Sequence, residues 1–256
     1  MIKKNINWNN KIKNNFNNAA SNYSQYSLIQ KNFAKIIVSL LKEINIPYGK
    51  SFDLGAGTGF LADLMEDELR KEPVTRIDFC QKMLSTNKTN SKKILWDLNK
   101  GLPSIVKDSS LIVSSFCLHW LNHPEKIVEK WFNALIMGGV LVIAFPNNNS
   151  FPEWRETCTR NNLKYSGINF PNPDLLISLF KKDEIYSINN YYYLETFPDI
   201  YKLFRNIIKM GAQSTKSERL QIKDYKMIQE LWPKNKTGSI SLTWKISIII
   251  FKKNYD

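Results

Sequence analysis

Absences narrow the reading of this chain first. Its three cysteines (Cys80, Cys117 and Cys158) show no C-x-x-C spacing, and only two histidines accompany them. That argues against a zinc site and a disulfide framework, and for free thiols in a reducing cytoplasm. No segment approaches the roughly 20 apolar residues of a membrane span. Asparagines follow Lys3 and Lys4 where a signal peptide would turn apolar, so no leader is expected. The net charge is +13, yet there is no block of five or six like charges and no Arg-rich arm. Lysines outnumber arginines about five to one, the diffuse surplus of a solvated surface rather than a nucleic-acid-binding stripe. A basic surface still favours acidic partners at moderate salt.

Hydrophobic content of 43% over 256 residues can bury a substantial core. The most informative stretch is Ser51-Phe52-Asp53-Leu54-Gly55-Ala56-Gly57-Thr58-Gly59-Phe60, an apolar run that turns through alternating glycines into an amphipathic segment, Leu61 to Leu69. Glycines belong where a strand turns sharply into a helix and a ligand approaches the backbone. A dinucleotide loop, G-x-G-x-x-G, would need glycine at position 60, which is Phe. The G-x-G-x-G spacing behind Asp53 instead resembles the first motif of class I S-adenosylmethionine-dependent methyltransferases.

Strand and helix patterns alternate beyond it. Val74 to Asp78 and Ile94 to Asp97 read as short strands, with a helix around Met83 and Leu84 between them. Ser110 to Phe116 reads as a fourth strand. Pro124 starts a helix with Ile127, Val128, Trp131, Phe132, Leu135 and Ile136 on one face, ended by Gly138-Gly139. Val140 to Phe145 is a buried strand, Tyr186 to Phe197 and Ser241 to Phe251 alternate as two late strands, and Ile200 to Met210 is helical up to Gly211. The expected fold is an α/β class I methyltransferase (Rossmann-like): a mostly parallel seven-stranded sheet with an antiparallel C-terminal hairpin and a small helical insertion. One domain is expected over 1–256, with N-terminal cap helices over 1–48, a cofactor-binding core over 49–146, an insertion or lid over 147–182, and C-terminal strands and helices over 183–256.

Two acids follow the glycine loop in order. Asp78, at the end of the second strand, can accept both hydroxyls of a ribose, or can cap a helix. Asp97, after the third strand, can address an adenine amino group or hold a turn, and Leu98 can pack on the adenine face. With Asp53, Gly55, Ala56, Gly57 and Gly59, and with Phe79, Met83 and Ser114, they form the candidate set for S-adenosyl-L-methionine. No Asn/Asp-Pro-Pro-aromatic run follows the fourth strand, as base methylation would want, and Cys117 lacks the neighbouring proline of a cytosine nucleophile.

Nearly end to end, the chain resembles the malonyl-acyl-carrier-protein O-methyltransferases of biotin synthesis. The likeness rests on Phe16-Asn17-Asn18-Ala19-Ala20-Ser21-Asn22-Tyr23 with Leu28-Ile29-Gln30, on His119-Trp120 where that family has Gln-Trp, on Ser150-Phe151-Pro152-Glu153-Trp154, on Arg205 to Ala212, and on Leu231-Trp232-Pro233. The family's lysine in the Arg205 run falls on Ile208 here. The resemblance implies methylation of a malonyl carboxylate carried on acyl carrier protein or coenzyme A, in the cytoplasm, by a monomer needing no metal, nucleic acid or membrane. Tyr23, His119 and Arg205 are the candidates to orient the carboxylate, with Trp120 as pocket wall. Each has a plainer reading: a cofactor cover, a partner for a backbone carbonyl, and a surface ion pair. The 147–182 segment and the region of Arg205 are the expected carrier-docking side. Methylation of a free small acid of the aconitate kind, or cofactor binding without turnover, remain alternatives.

Overall fold

A computed structural model describes residues 2–69, 73–216 and 220–254, with side chains from Trp8 onward. Seven strands, β1 (Lys50–Leu54), β2 (Thr75–Asp78), β3 (Lys93–Leu95), β4 (Ser109–Ser115), β5 (Leu135–Pro146), β6 (Ile185–Phe197) and β7 (Ile240–Lys252), form one sheet in the order β3-β2-β1-β4-β5-β7-β6. The pairs among β1 to β5 are parallel, and β7 runs antiparallel to both its neighbours. This is the class I methyltransferase topology, and the chain order reverses at β1 between β2 and β4. In such sheets a ligand binds beyond the strands' carboxyl ends at that switch point.

Both faces of the sheet are covered, which is why β5 is almost wholly apolar and β4, though it carries serines at both ends, is buried along nearly its whole length. Alternate residues divide between two cores. Val113 and Val142 meet Phe33, Ile37 and Leu41 of α3 (Leu28–Lys42) and Met65 of α4 (Phe60–Leu69). Ile112 and Leu141 meet Val128 and Trp131 of α6 (Pro124–Asn133) on the other side. Ahead of these lie α1 (Ile2–Ala19) and α2 (Tyr23–Tyr26), and α5 (Gln81–Ser85) follows β2.

Three boundaries depart from the expected pattern. The helix from Pro124 ends at Asn133, so Leu135 and Ile136 open β5. Gly138-Gly139 therefore lies inside the strand, where Gly138 has φ +76° and donates to the Lys253 carbonyl at 2.6 Å. The segment after β5 divides between the two faces: α7 (Pro152–Arg160) packs with the α3 side, whereas α8 (Pro173–Ile177) puts Leu176 against the α6 side. Finally, β6 and β7 pair antiparallel but are separated in sequence by α9 (Ile200–Lys209) and α10 (Ile222–Leu231).

Candidate functional site

The glycine loop leaves β1 at its carboxyl end and folds back on β2. The Gly55 and Ala56 amides donate to the Ile77 carbonyl at 2.8 and 3.1 Å. Gly57, at φ +54°, has nothing within 4 Å of where a Cβ would stand, so it faces open space. The other two glycines make room for neighbours: a Cβ on Gly55 would strike Cys117, and one on Gly59 would strike Asn87. Asn87 in turn donates to the Gly57 carbonyl at 2.9 Å and holds the loop open.

Around that open space a bay is lined by Gly55, Gly57, Asp78, Phe79, Met83, Asp97 and Leu98, with Tyr23 and Trp120 at its far end. Asp78 is buried. Its two carboxylate oxygens accept from the Gly57 amide at 2.9 Å and the Cys80 amide at 2.8 Å. Burial raises its pKa and these bonds pull it back. A carboxylate lining the bay is a type of group that can accept both hydroxyls of a ribose diol. Asp97 accepts from the Asn99 amide at 3.0 Å and caps a short 3₁₀ turn, so its turn role and its place on the bay coexist. Cys117 also lines the bay, and burial pushes its thiol above the usual range, which leaves it a poor nucleophile.

A contiguous recess holds Asp53, Ala56, Gly57, Gln30 and Ser115. Asp53 is 2% exposed and its Oδ2 has no partner. Burial raises its pKa to about 7, opposed by the Arg76 guanidinium and reinforced by Asp78. A buried carboxylate with a free oxygen at the glycine loop suits the ammonium of an amino-acid group. The serine expected here is displaced by one residue. The Ser114 hydroxyl faces away and donates to the Leu54 carbonyl at 2.7 Å, whereas Ser115 lines the recess with its Oγ buried and unpartnered. Gly59 likewise lines neither space and serves packing.

Beyond Tyr23, Phe16, Phe116 and Trp120, which border both spaces, lies a second cavity. At about 260 Å³ against about 80 Å³ for the bay, it has room for a second molecule. His119, Phe151, Phe170, Ile208 and Gln213 also line it. The His119 ring packs on Trp120 and Phe170 at centroid distances of 4.9 and 5.3 Å, and its Nδ1 is buried without a partner. Burial lowers its pKa to about 3, so the imidazole is neutral. Tyr23 lines the bay, the recess and the second cavity. Burial, then the charge of Asp78, pushes its phenol up, leaving it an O–H donor.

Arg205 departs from its expected place. It is exposed on α9, outside the cavity lining, one turn before Ile208 at the cavity's edge. The amphipathic period of α9 turns Leu203 inward and carries Arg205 out. Ser115, Phe116, Phe170 and Gln213 were not singled out from sequence. Position at the carboxyl end of β4 is a usable signal for the first two; the others come from loops with no pattern of their own.

A family model described as a methyltransferase domain matches residues 52–143. The malonyl-[acyl-carrier protein] O-methyltransferase of Bacillus cereus is 25% identical over 217 residues, spanning 78% of this chain and 79% of that one. Its Buchnera aphidicola counterpart is 28% identical over 235 residues, 89% and 92% of the two chains. A trans-aconitate 2-methyltransferase of Sinorhizobium medicae is 31% identical over 135 residues, about half of each chain (50% and 51%). Among solved structures, the YcgJ protein from Bacillus subtilis superposes with a TM-score of 0.60 at 13% identity, covering 87% of this chain and 98% of that one.

Proposed function

We propose that this chain, a class I S-adenosylmethionine-dependent methyltransferase, esterifies the free carboxylate of a malonyl thioester carried on acyl carrier protein, opening pimeloyl and biotin synthesis. The observation that carries the reading is the shared wall of Phe16, Tyr23, Phe116 and Trp120, through which the glycine-loop bay meets a second, larger cavity. The names of relatives matched over most of their length support the acceptor.

Asp78 would hold the ribose hydroxyls, Asp53 the ammonium, and Leu98 and Phe79 the adenine faces. The unpartnered Asp53 Oδ2 and Ser115 Oγ and the open space at Gly57 fit such a molecule. When bound, S-adenosylmethionine supplies a methyl group on a positively charged sulfur, ready for displacement. A malonyl carboxylate is already ionised near pH 7, since unperturbed carboxyls titrate near pH 4. No proton has to be removed from it, and His119, with a pKa near 3, takes none. Tyr23 donates to the acceptor and aligns it; such orientation is worth several kcal/mol. The aromatic wall excludes water, which strengthens the attraction between an anionic acceptor and a cationic donor.

A free tricarboxylate such as aconitate suits this cavity less well. Among the described residues lining it there is no lysine or arginine to balance three charges. The edge at Ile208, 54% exposed, offers a way out for a thioester arm. The docking partner is read as an acidic carrier, drawn by the +13 net charge. The protein is read as a cytoplasmic monomer acting without nucleic acid or membrane; among the described residues no helix is long and apolar enough to cross one. Methyl-labelled S-adenosylmethionine with malonyl-coenzyme A should give a base-labile labelled ester. Cofactor binding without any labelled product would favour a non-catalytic role.

A further inference from the structure

After α9 the chain turns at Gly211 into a short segment that runs back along α1. Several contacts anchor that segment. Gly211 has φ +77°, and a Cβ there would stand 2.8 Å from the Asn15 carbonyl oxygen. The Ala212 amide donates to the Ile207 carbonyl at 3.0 Å. Ser214 is buried and its hydroxyl accepts from Asn15 Nδ2 at 2.8 Å, while Lys11 Nζ donates to the Thr215 carbonyl at 3.2 Å. Gln213 is held between these anchors and lines the second cavity, as His119 does.

The Gln213 Oε1 is buried and has no partner, and His119 Nδ1 is in the same state. A buried polar atom left unsatisfied forfeits the hydrogen bonds it made to water. With Gln30 Oε1 and Trp154 Nε1, four such atoms belong to residues lining this one cavity, and that of Gln213 sits on a segment tied down on both sides; a polar ligand that completes them accounts for the set. A carboxamide can turn about its terminal torsion and present its NH₂ instead of its oxygen, so Gln213 can serve an anion as donor. Among the described residues the lining carries no lysine or arginine, so neutral donors such as Gln213 are the contacts it offers a carboxylate.

We propose that Gln213 is a specificity-determining residue for the acceptor: its carboxamide donates to the acceptor carboxylate and turns it toward the wall shared with the bay. The inference rests on the carboxyl-methyltransferase reading above. A neutral donor orients the anion without the tight charge pairing by which a guanidinium would quench its nucleophilicity.

The test measures methyl transfer to malonyl-coenzyme A, with S-adenosylhomocysteine affinity by calorimetry as the check on folding and on the bay. Gln213→Leu should raise KM for malonyl-coenzyme A roughly tenfold or more, the loss of a hydrogen bond to a charged group, and leave S-adenosylhomocysteine affinity at the wild-type value. Gln213→Glu should raise KM further at pH 8, where the introduced carboxyl is ionised and repels the acceptor, and recover toward wild type as the pH falls and that carboxyl becomes a donor. Wild-type KM in both variants across that range overturns the inference. So does loss of S-adenosylhomocysteine affinity in step with activity, which would mark Gln213 as a fold element. Failure of the underlying reading shows elsewhere, as a wild-type protein that forms no ester from malonyl-coenzyme A, and it removes the inference as well.

Discussion

Asp78 stands in the bay and Asp53 in the recess beside it, and each makes a separate demand. Asp78 is already held by two backbone amides, so Asp78→Ala should leave the sheet intact and lower S-adenosylmethionine affinity by one to two powers of ten, about 1.5–3 kcal/mol for a charge-assisted bond. Calorimetry of the folded variant checks this. Asp53 titrates near pH 7 in the free protein because burial disfavours its charged form. A bound ammonium would favour that charged form, so binding drives off a proton below pH 7. Cofactor affinity should therefore fall toward about tenfold per pH unit as the pH drops below 7, and level off above it. Asp53→Asn should bind more weakly and lose that slope; an unchanged slope would remove Asp53 from the ammonium contact. His119 is neutral, so His119→Gln should keep most activity and its pH profile, and a loss of several powers of ten would point to proton chemistry. Asp53, Asp78, Asp97, Gly55 and Gly57, which line the bay and its recess, are legible because each stands at or just past the carboxyl end of a strand. Ser115 rather than Ser114 lines the recess because a strand alternates its faces at every residue, and no sequence pattern signals where the last pleat turns.

At the scale of elements, the strand–helix alternation carried the sheet, whereas junctions between apolar segments did not announce themselves. Leu135 and Ile136 continue the apolar face of α6 by spacing, yet they begin β5, because an apolar run suits a buried strand as well as a helix. The acceptor cavity draws on α1, the turn after β4, the loop after α7 and the segment after α9, and these meet only in three dimensions. Gly211 is the joint that brings the last of them in. Gly211→Ala would put an L side chain at φ +77° and a Cβ 2.8 Å from the Asn15 carbonyl oxygen. The backbone strain alone is about 1–2 kcal/mol. The melting temperature should fall by several degrees, and acceptor KM should rise with it because Gln213 shifts. A melting curve matching wild type would show that the α1–α9 junction yields freely.

Over the whole molecule, Arg205 and Lys209 lie on α9 beside the exposed Ile208 at the cavity edge, outside it. On the proposed reading they would meet an acidic carrier rather than the carboxylate. Lys181 and Lys182, by contrast, follow the stretch that crosses to the α6 face. Reversing Arg205 and Lys209 to glutamate should raise KM for malonyl-carrier, leave S-adenosylmethionine affinity unchanged and weaken use of malonyl-coenzyme A less. The wild-type KM for the carrier should also climb with salt as the screening length shrinks from about 10 Å at 0.1 M to about 3 Å at 1 M. Equal salt response for carrier and coenzyme A would leave the +13 charge without a docking role. The central claim, that the second cavity accepts a malonyl carboxylate on a carrier, is tested most directly by competition. Malonyl-carrier and trans-aconitate are offered together with methyl-labelled S-adenosylmethionine, and the ester formed on each is followed by mass spectrometry. The account predicts that the label collects on the malonyl-carrier; label collecting on trans-aconitate, or none on either acid, would contradict it.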